Sequence, residues 1–149
     1  MAINFDKYAQ EGNLFVKNLA EKLGHPNEVA RTGILLRAVL HTLRDRITIG
    51  ESLNMMAQLP MFLKAVYVED WKYSEQPTKI STMEEFSEEV EKHQEQYGEQ
   101  EFSWKKSTEE LVQIILGELA TYISQGEFED IKSQLPEGLY ALFEESIHS

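Results

Sequence analysis

The sequence contains no cysteine, which excludes disulfide frameworks, thiolate nucleophiles, iron–sulfur clusters and the common structural zinc sites. Glycine and proline are sparse, with 8 and 4 among 149 residues, and no apolar run approaches the roughly 18 residues of a membrane span. The N-terminal segment lacks the basic and apolar regions of a signal peptide. We therefore expect a cytoplasmic protein of single-domain size with no membrane association.

Positive charge is also scarce, and it is unevenly distributed. The net charge is −12; residues 1–74 carry 9 basic and 8 acidic side chains, whereas residues 75–149 carry 5 and 18. Because such a surface repels a phosphate backbone, we expect no nucleic-acid binding. The acidic second half indicates either a solvated surface that keeps the protein in solution or a face for a basic partner.

The sequence resembles itself after a shift of 76 residues. Gly50-Glu51 corresponds to Gly126-Glu127, and Gln58-Leu59-Pro60 corresponds to Gln134-Leu135-Pro136. Further identical pairs are Thr32/Thr108, Leu35/Leu111, Leu40/Leu116, Leu43/Leu119, Leu63/Leu139 and Ala65/Ala141. We predict an internal duplication, with repeat one in residues 1–74, repeat two in residues 75–149 and a short linker around residues 72–82.

Apolar side chains recur at helical spacing in both halves. The two long stripes are Leu35, Leu36, Val39, Leu40, Leu43 and Ile47, and Leu111, Val112, Ile115, Leu116, Leu119 and Ile123. Each half begins with a shorter stripe, at Phe5, Tyr8, Gly12, Phe15 and Leu19, and at Met83, Phe86, Val90, His93 and Tyr97. The predicted fold class is all-α, with two tandem pseudo-symmetric repeats of about four helices each, packed together as one unit.

Three segments match the start signals of helices. Thr48-x-Gly50-Glu51, Ser107-x-x-Glu110 and Ser124-x-Gly126-Glu127 are capping boxes, in which the hydroxyl accepts a backbone N–H and the glutamate returns to the N–H of the cap. Asn27 is the predicted cap of the first long helix. Proline in each Gln-Leu-Pro suits the first turn of the next helix. We interpret these motifs as joints between helices and not as active sites.

The first half carries the motifs of a known family. Leu43-Arg44-Asp45-Arg46, Gly50-Glu51 and Ala57-Gln58-Leu59-Pro60-Met61, followed by Tyr67 and Trp71, resemble the bacterial family of unknown function DUF2267. The resemblance covers nearly the whole chain and is weaker in repeat two, where Thr121 and Tyr122 replace Asp45 and Arg46. It implies paired helical copies and a bacterial origin, and it implies no established activity.

The first long helix also carries basic side chains. Arg37, His41 and Arg44 follow one another at helical spacing opposite the apolar stripe, and Arg46 lies at the edge of that stripe. For the first three we expect a solvated basic face or, alternatively, an anion-binding site. For Arg46 we predict a structural ion pair, with anion binding as the alternative. The candidate partners of Arg46 are Glu51, Glu69 and Asp70.

No catalytic signature is present. Residues 83–97 combine several glutamates with His93, but the Glu-x-x-His spacing of helical metal sites is missing. The sequence also lacks the His-Glu-x-x-His, serine-elbow and phosphate-loop patterns. We therefore predict no catalytic residues, no bound metal and no cofactor.

The two copies differ in one apolar segment. Met56, Met61 and Phe62 correspond to Lys132, Glu137 and Gly138 in repeat two, so a repeat folds without apolar groups there. These side chains are expected to bury against the other repeat, another chain or a ligand, and methionine-rich surfaces are adaptable. The candidate partner-binding surface is Met56, Met61, Phe62, Tyr67 and Trp71.

Two functional hypotheses follow from these features. The leading hypothesis is a non-catalytic binding or scaffolding protein that engages a protein partner, or a second copy of itself, through the apolar surface of repeat one. The alternative is a protein that binds a small ligand or an anion through Arg37, His41, Arg44 and Arg46. This alternative includes an enzyme of unfamiliar type.

Overall fold

The computed structural model describes residues 2–72, 77–96, 104 and 106–135. These residues contain helices and no strand, which confirms the all-α prediction. The helices are α1 (Phe5–Lys22), α2 (Val29–Arg46), α3 (Ile49–Gln58), α4 (Met61–Val68), α5 (Met83–Gln96), α6 (Thr108–Ala120) and α7 (Gln125–Ile131), followed by a 3-10 turn (Lys132–Gln134). The predicted fourth helix of the second half starts at Pro136, outside the described residues. None of the described helices has the length and apolar character needed to cross a membrane.

The two predicted apolar stripes lie in the centre of the core, on α2 and α6, with Ile47 and Ile123 just after the ends of these helices. Every side chain of both stripes is at most 7% exposed. The most extensive helix contact is that of α2 with α5, and α2 also packs on α1, α4 and α6. As a result, apolar residues from both halves of the sequence form one continuous cluster.

A glycine allows α1 and α4 to approach closely. A Cβ atom added to Gly12 would lie 3.1 Å from Cβ of Phe62, which is tighter than ordinary van der Waals contact. The Phe62 ring packs against Phe15 of α1 with 5.4 Å between ring centroids. Phe15 in turn lies 6.2 Å from the ring of Tyr122, which follows α6. Phe62 is therefore half-buried against α1 of its own half, and Phe15 links it to the second half.

The predicted capping hydroxyls are confirmed. Oγ1 of Thr48 accepts a hydrogen bond from the backbone N–H of Glu51, and the hydroxyls of Ser107 and Ser124 accept the equivalent bonds at α6 and α7. The prediction for Asn27 is wrong by one residue, because the cap position of α2 is Glu28. The Glu28 side chain makes no cap bond there, since it accepts from Arg31 and from the indole N–H of Trp104.

The linker between α4 and α5 is fastened to the end of α2. The backbone N–H of Thr78 donates to the carbonyl of Asp45 at 2.7 Å. Ile80 is buried in the core. These contacts hold the start of α5 beside α2.

Candidate functional site

An apolar groove of about 540 Å³ lies between the start of α1 and the start of α4. Its lining residues are Ile3, Phe5, Tyr8, Ala9, Met61, Phe62 and Ala65. Ile3 and Phe5 are 73% and 72% exposed, and Met61 is 47% exposed. Single exposed apolar residues are ordinary, whereas several around one depression mark a candidate binding surface.

The groove contains Met61 and Phe62 from the predicted partner-binding set, and it adds residues of α1 that sequence reasoning missed. The apolar stripe of α1 gave a signal for them, because Phe5 and Tyr8 continue it beyond Gly12. Gly12 contacts Phe62, so the stripe extends one to two turns past the close contact with α4. These two turns supply one wall of the groove.

The other three residues of the predicted set lie elsewhere. Met56 and Trp71 are half-buried against the core. Tyr67 is fully buried, and its hydroxyl lies 2.7 Å from the hydroxyl of Ser52. Burial also raises the pKa of the Tyr67 phenol well above its usual value. Tyr67 therefore belongs to the core and not to an accessible surface, which corrects the expectation for that residue.

The expected solvated basic face of α2 is wrong, because α4 covers it. His41 and Arg44 are buried. The imidazole of His41 donates from Nε2 to the carbonyl of Val66 at 2.8 Å, and Nη1 of Arg44 donates to the carbonyls of Tyr67 and Glu69 at 2.7 and 2.6 Å. The last carbonyls of a helix have no partner within the helix. His41 and Arg44 supply donors to the last turn of α4.

An ion pair and the neutral state of His41 accompany this contact between α2 and α4. The carboxylate of Glu69, just after α4, forms an ion pair with Nε of Arg37. Burial lowers the pKa of His41, and the charges of Arg44 and His93 lower it further. His41 is therefore neutral near pH 7, in the tautomer that carries the proton on Nε2. The arrangement accounts for Arg37, His41 and Arg44 as residues that hold α4 on α2, and anion binding by them stays a prediction.

Arg46 makes a different contact from the one predicted. Its Nε donates to the carbonyl of Ile80 at 2.8 Å. Among the described residues it forms no ion pair with Glu51, Glu69 or Asp70, so that prediction is wrong. The physical reason is the linker, which crosses the end of α2 and presents a backbone carbonyl to the guanidinium.

The second notable site is the contact between α3 and α7, where two glutamines cross from one half to the other. The backbone N–H of Thr48 donates to Oε1 of Gln134 at 2.6 Å, and the N–H of Ser124 donates to Oε1 of Gln58 at 2.7 Å. Nε2 of Gln58 also donates to Oγ of Ser124 at 3.1 Å. For Glu51 and Glu127, the prediction that the glutamate returns to the N–H of its cap is therefore wrong, because the glutamine of the other half takes that N–H.

The displaced glutamates face one another in this contact, which we call the carboxylate joint: Glu51 of α3 with Glu127 and Asp130 of α7. One carboxylate oxygen from each lies within 4.8 Å of the others. Glu127 is only 7% exposed. Burial, the neighbouring carboxyl group of Glu51 and the charge of Asp130 together raise its pKa to about 7. Sequence reasoning placed both glutamates at helix starts but missed Asp130, which repeat one replaces with Asn54.

Comparison with known proteins gives a family and no activity. No curated protein matches the chain. Residues 12–142 match the family described as "Uncharacterized conserved protein (DUF2267)". This range includes both Gln-Leu-Pro segments, all three capping motifs and three of the seven residues that line the groove, Met61, Phe62 and Ala65. The chain therefore belongs to the DUF2267 family of uncharacterized conserved proteins.

Proposed function

We propose that this protein is a non-catalytic binding module and that its apolar groove receives side chains from a protein partner. The observation that supports this proposal most is the exposure of Ile3, Phe5 and Met61 around one groove. Removing apolar surface from water contributes roughly 25 cal/mol per Å², so these side chains are a source of binding free energy.

The dimensions of the groove favour a short apolar segment as its occupant. A standard protein–protein interface uses about 20 to 30 residues on each side, whereas seven residues line this groove. Its volume of about 540 Å³ is sufficient for a few large side chains. An amphipathic helix that inserts a few large side chains from one face needs a groove of this size. We therefore expect a helical segment of a different protein, and not a second copy of this chain.

We also infer that the two halves are repeats, as the sequence predicts. The inference is supported by the register of identical residues and by the reciprocal bonds of Gln58 and Gln134. In this register Met61 and Phe62 correspond to Glu137 and Gly138. The second copy therefore has no equivalent pair of apolar side chains, and the proposed function belongs to repeat one.

The alternative function, anion or small-ligand binding at Arg37, His41, Arg44 and Arg46, has weaker support. Three of these side chains donate hydrogen bonds to backbone carbonyls, and Arg37 pairs with Glu69. An anion would have to compete with these contacts. No observation in the described residues favours it over the groove.

Site-specific photo-cross-linking, in cells that produce the protein, tests whether the groove binds a partner. A photo-reactive amino acid at Met61 is compared with one at Leu53 on α3, which is similarly exposed at 53%. We expect a discrete cross-linked protein at position 61 and not at position 53. Phe5→Glu should then weaken binding of the purified partner at least tenfold, since it places a charge in the groove, while Leu53→Glu leaves binding within about twofold.

Two results would contradict the proposal. Equal cross-linking at both positions would show that the groove has no preference over another exposed apolar residue. A homodimer in light scattering that Phe5→Glu dissociates would show that the occupant is a second copy, contrary to the partner proposed.

A further inference from the structure

The carboxylate joint brings together three acidic side chains from two helices. Glu127 and Asp130 are three residues apart on α7 and share one face of that helix, and Glu51 approaches from α3. Carboxylate clusters on protein surfaces are common and need no ligand. This cluster differs because two of its oxygens are withdrawn from solvent.

The buried oxygens have no hydrogen-bond donor from outside the carboxylate joint. Oε1 of Glu127 and Oε2 of Glu51 are shielded from solvent and accept no hydrogen bond in the part of the chain that the structure describes. Glu127 is also more than nine-tenths buried. Burying a charged oxygen without a partner costs several kcal/mol in general, so such groups normally have a donor or a cation.

Two other partly buried carboxylates among the described residues follow that rule. Glu28 accepts from Arg31 and from Trp104, and Asp45 is 2.8 Å from Nε2 of His93. In contrast, no lysine or arginine of the described ranges forms an ion pair with Glu51, Glu127 or Asp130. The basic residue closest in sequence, Lys132, pairs with Glu129 at 2.8 Å. The joint therefore concentrates negative charge without a basic side chain to balance it.

The glutamine contacts explain why Glu51 and Glu127 do not accept the N–H groups of their cap residues. In a capping box the glutamate accepts the N–H of the cap residue. Here Gln134 takes the N–H of Thr48, and Gln58 takes the N–H of Ser124. Both glutamates are thereby directed toward each other across the contact of α3 with α7.

We propose that Glu51, Glu127 and Asp130 bind a divalent cation, and that Ca²⁺ fits the site best. Ca²⁺ binds oxygen at about 2.3–2.6 Å, so two ligands on opposite sides of the ion lie up to about 5 Å apart. The limit for Mg²⁺, at about 2.0–2.1 Å, is close to 4.2 Å. The upper bound of 4.8 Å on the spacing of the three oxygens lies inside the limit for Ca²⁺ and above that for Mg²⁺.

The surroundings of the joint are compatible with the remaining coordination. Ca²⁺ takes six to eight oxygen ligands, and water commonly completes the set. Asp130 is exposed, so water reaches the ion from its side. The net charge of −12 also raises the local concentration of divalent cations. A bound ion would connect α3 of the first half to α7 of the second.

Isothermal titration of chelator-treated protein with CaCl₂ at pH 7.5 and about 0.15 M KCl tests the site. We expect one site with a dissociation constant of about 10⁻⁴ to 10⁻³ M, typical of weak carboxylate sites, and weaker binding of Mg²⁺. Glu127→Gln should weaken Ca²⁺ binding at least tenfold. The matched control is Glu129→Gln, which removes the same charge two residues away on α7 from a glutamate that pairs with Lys132.

Asp130→Asn serves as a second variant, because an exposed position tolerates the change, and it should also weaken Ca²⁺ binding. Helix content by circular dichroism establishes that each variant is folded. The proposal is overturned if the wild-type protein shows no Ca²⁺ binding, which is the outcome when the carboxylates share only a proton. It is equally overturned if Glu129→Gln reduces affinity as much as Glu127→Gln, because the binding would then reflect net charge alone.

Discussion

The guanidinium of Arg44 lies between α2 and the last turn of α4, where Nη1 donates to two backbone carbonyls. Arg44→Met keeps most of the side-chain volume and leaves both carbonyls without that donor. We expect the free energy of unfolding to fall by about 2–4 kcal/mol, as for other buried charged groups that lose their bonds. Urea denaturation followed by circular dichroism measures the change.

Arg37→Met is the control for Arg44→Met, because Arg37 lies on the same face of α2 but is only half-buried and pairs with a carboxylate. Partly exposed ion pairs contribute about 0–1 kcal/mol. Similar losses in the two variants would show that Arg44 does not hold α4 through its carbonyl contacts.

The neutral state of His41 gives the protein a pH dependence. Burial, helped by Arg44 and His93, lowers its pKa below 6.5, although the bond to Val66 and the charge of Glu69 act in the opposite direction. The unfolded chain therefore binds a proton at higher pH than the folded one, and stability falls as the pH falls below about 6.5. We expect the melting temperature to drop less between pH 7.5 and 5.5 in His41→Gln than in the wild-type protein.

The comparison of His41→Gln with wild type removes the effects of the other titrating groups. Glu127, whose pKa is raised to about 7, acts in the opposite sense, but it is present in both proteins. Differential scanning fluorimetry at both pH values measures the difference. An identical drop in the two proteins would mean that the pKa of His41 is the same in the folded and unfolded states.

The burial of His41 and Arg44 on α2 could not be predicted from the sequence, for an identifiable reason. A helical wheel assigns one buried face and one solvated face to a helix. α2 contacts α1, α4, α5 and α6, so side chains opposite its apolar stripe are buried as well. The apolar stripes themselves were predicted correctly because their periodicity is a local property of the sequence.

At the scale of helices and their joints, the sequence predicted the local half of each capping motif. Thr48, Ser107 and Ser124 cap their helices as expected, since donor and acceptor are only three residues apart. The bonds from Gln58 and Gln134 join residues 66 and 86 positions apart. The sequence pattern did not indicate that these glutamines would replace the glutamates as acceptors of the cap N–H.

The glutamine bonds should contribute to the contact between α3 and α7. Gln58→Ala removes two hydrogen bonds to Ser124, so we expect the free energy of unfolding to fall by about 0.5–1.5 kcal/mol. Gln125→Ala is the control, because Gln125 is exposed on α7 and changes at such positions are usually within about 0.5 kcal/mol. Chemical denaturation of both variants measures the difference, and equal effects would show that the cross-contact adds nothing to stability.

At the scale of the whole molecule, the two halves share more than a linker. Trp104 of the second half stacks on His25 of the first, with 4.1 Å between ring centroids. Its indole N–H donates to Glu28 at 2.6 Å. The groove was predicted only in part for a related reason: comparison of the copies identified Met61 and Phe62, but the wall from α1 depends on tertiary contact between α1 and α4.

The continuous core predicts that the two halves unfold together. The sequence provides one tryptophan in each half, Trp71 and Trp104. Trp104→Phe leaves Trp71, whose fluorescence reports on the first half, and Trp71→Phe leaves Trp104, whose fluorescence reports on the contact between the second half and the first. In each variant we expect the fluorescence midpoint in urea to coincide with the midpoint from helix circular dichroism, because opening either half would expose the apolar surface between α2 and α5. Separate midpoints in either variant would show that residues 1–74 and 75–149 are independent folding units, and that the contacts between them are too weak to couple their unfolding.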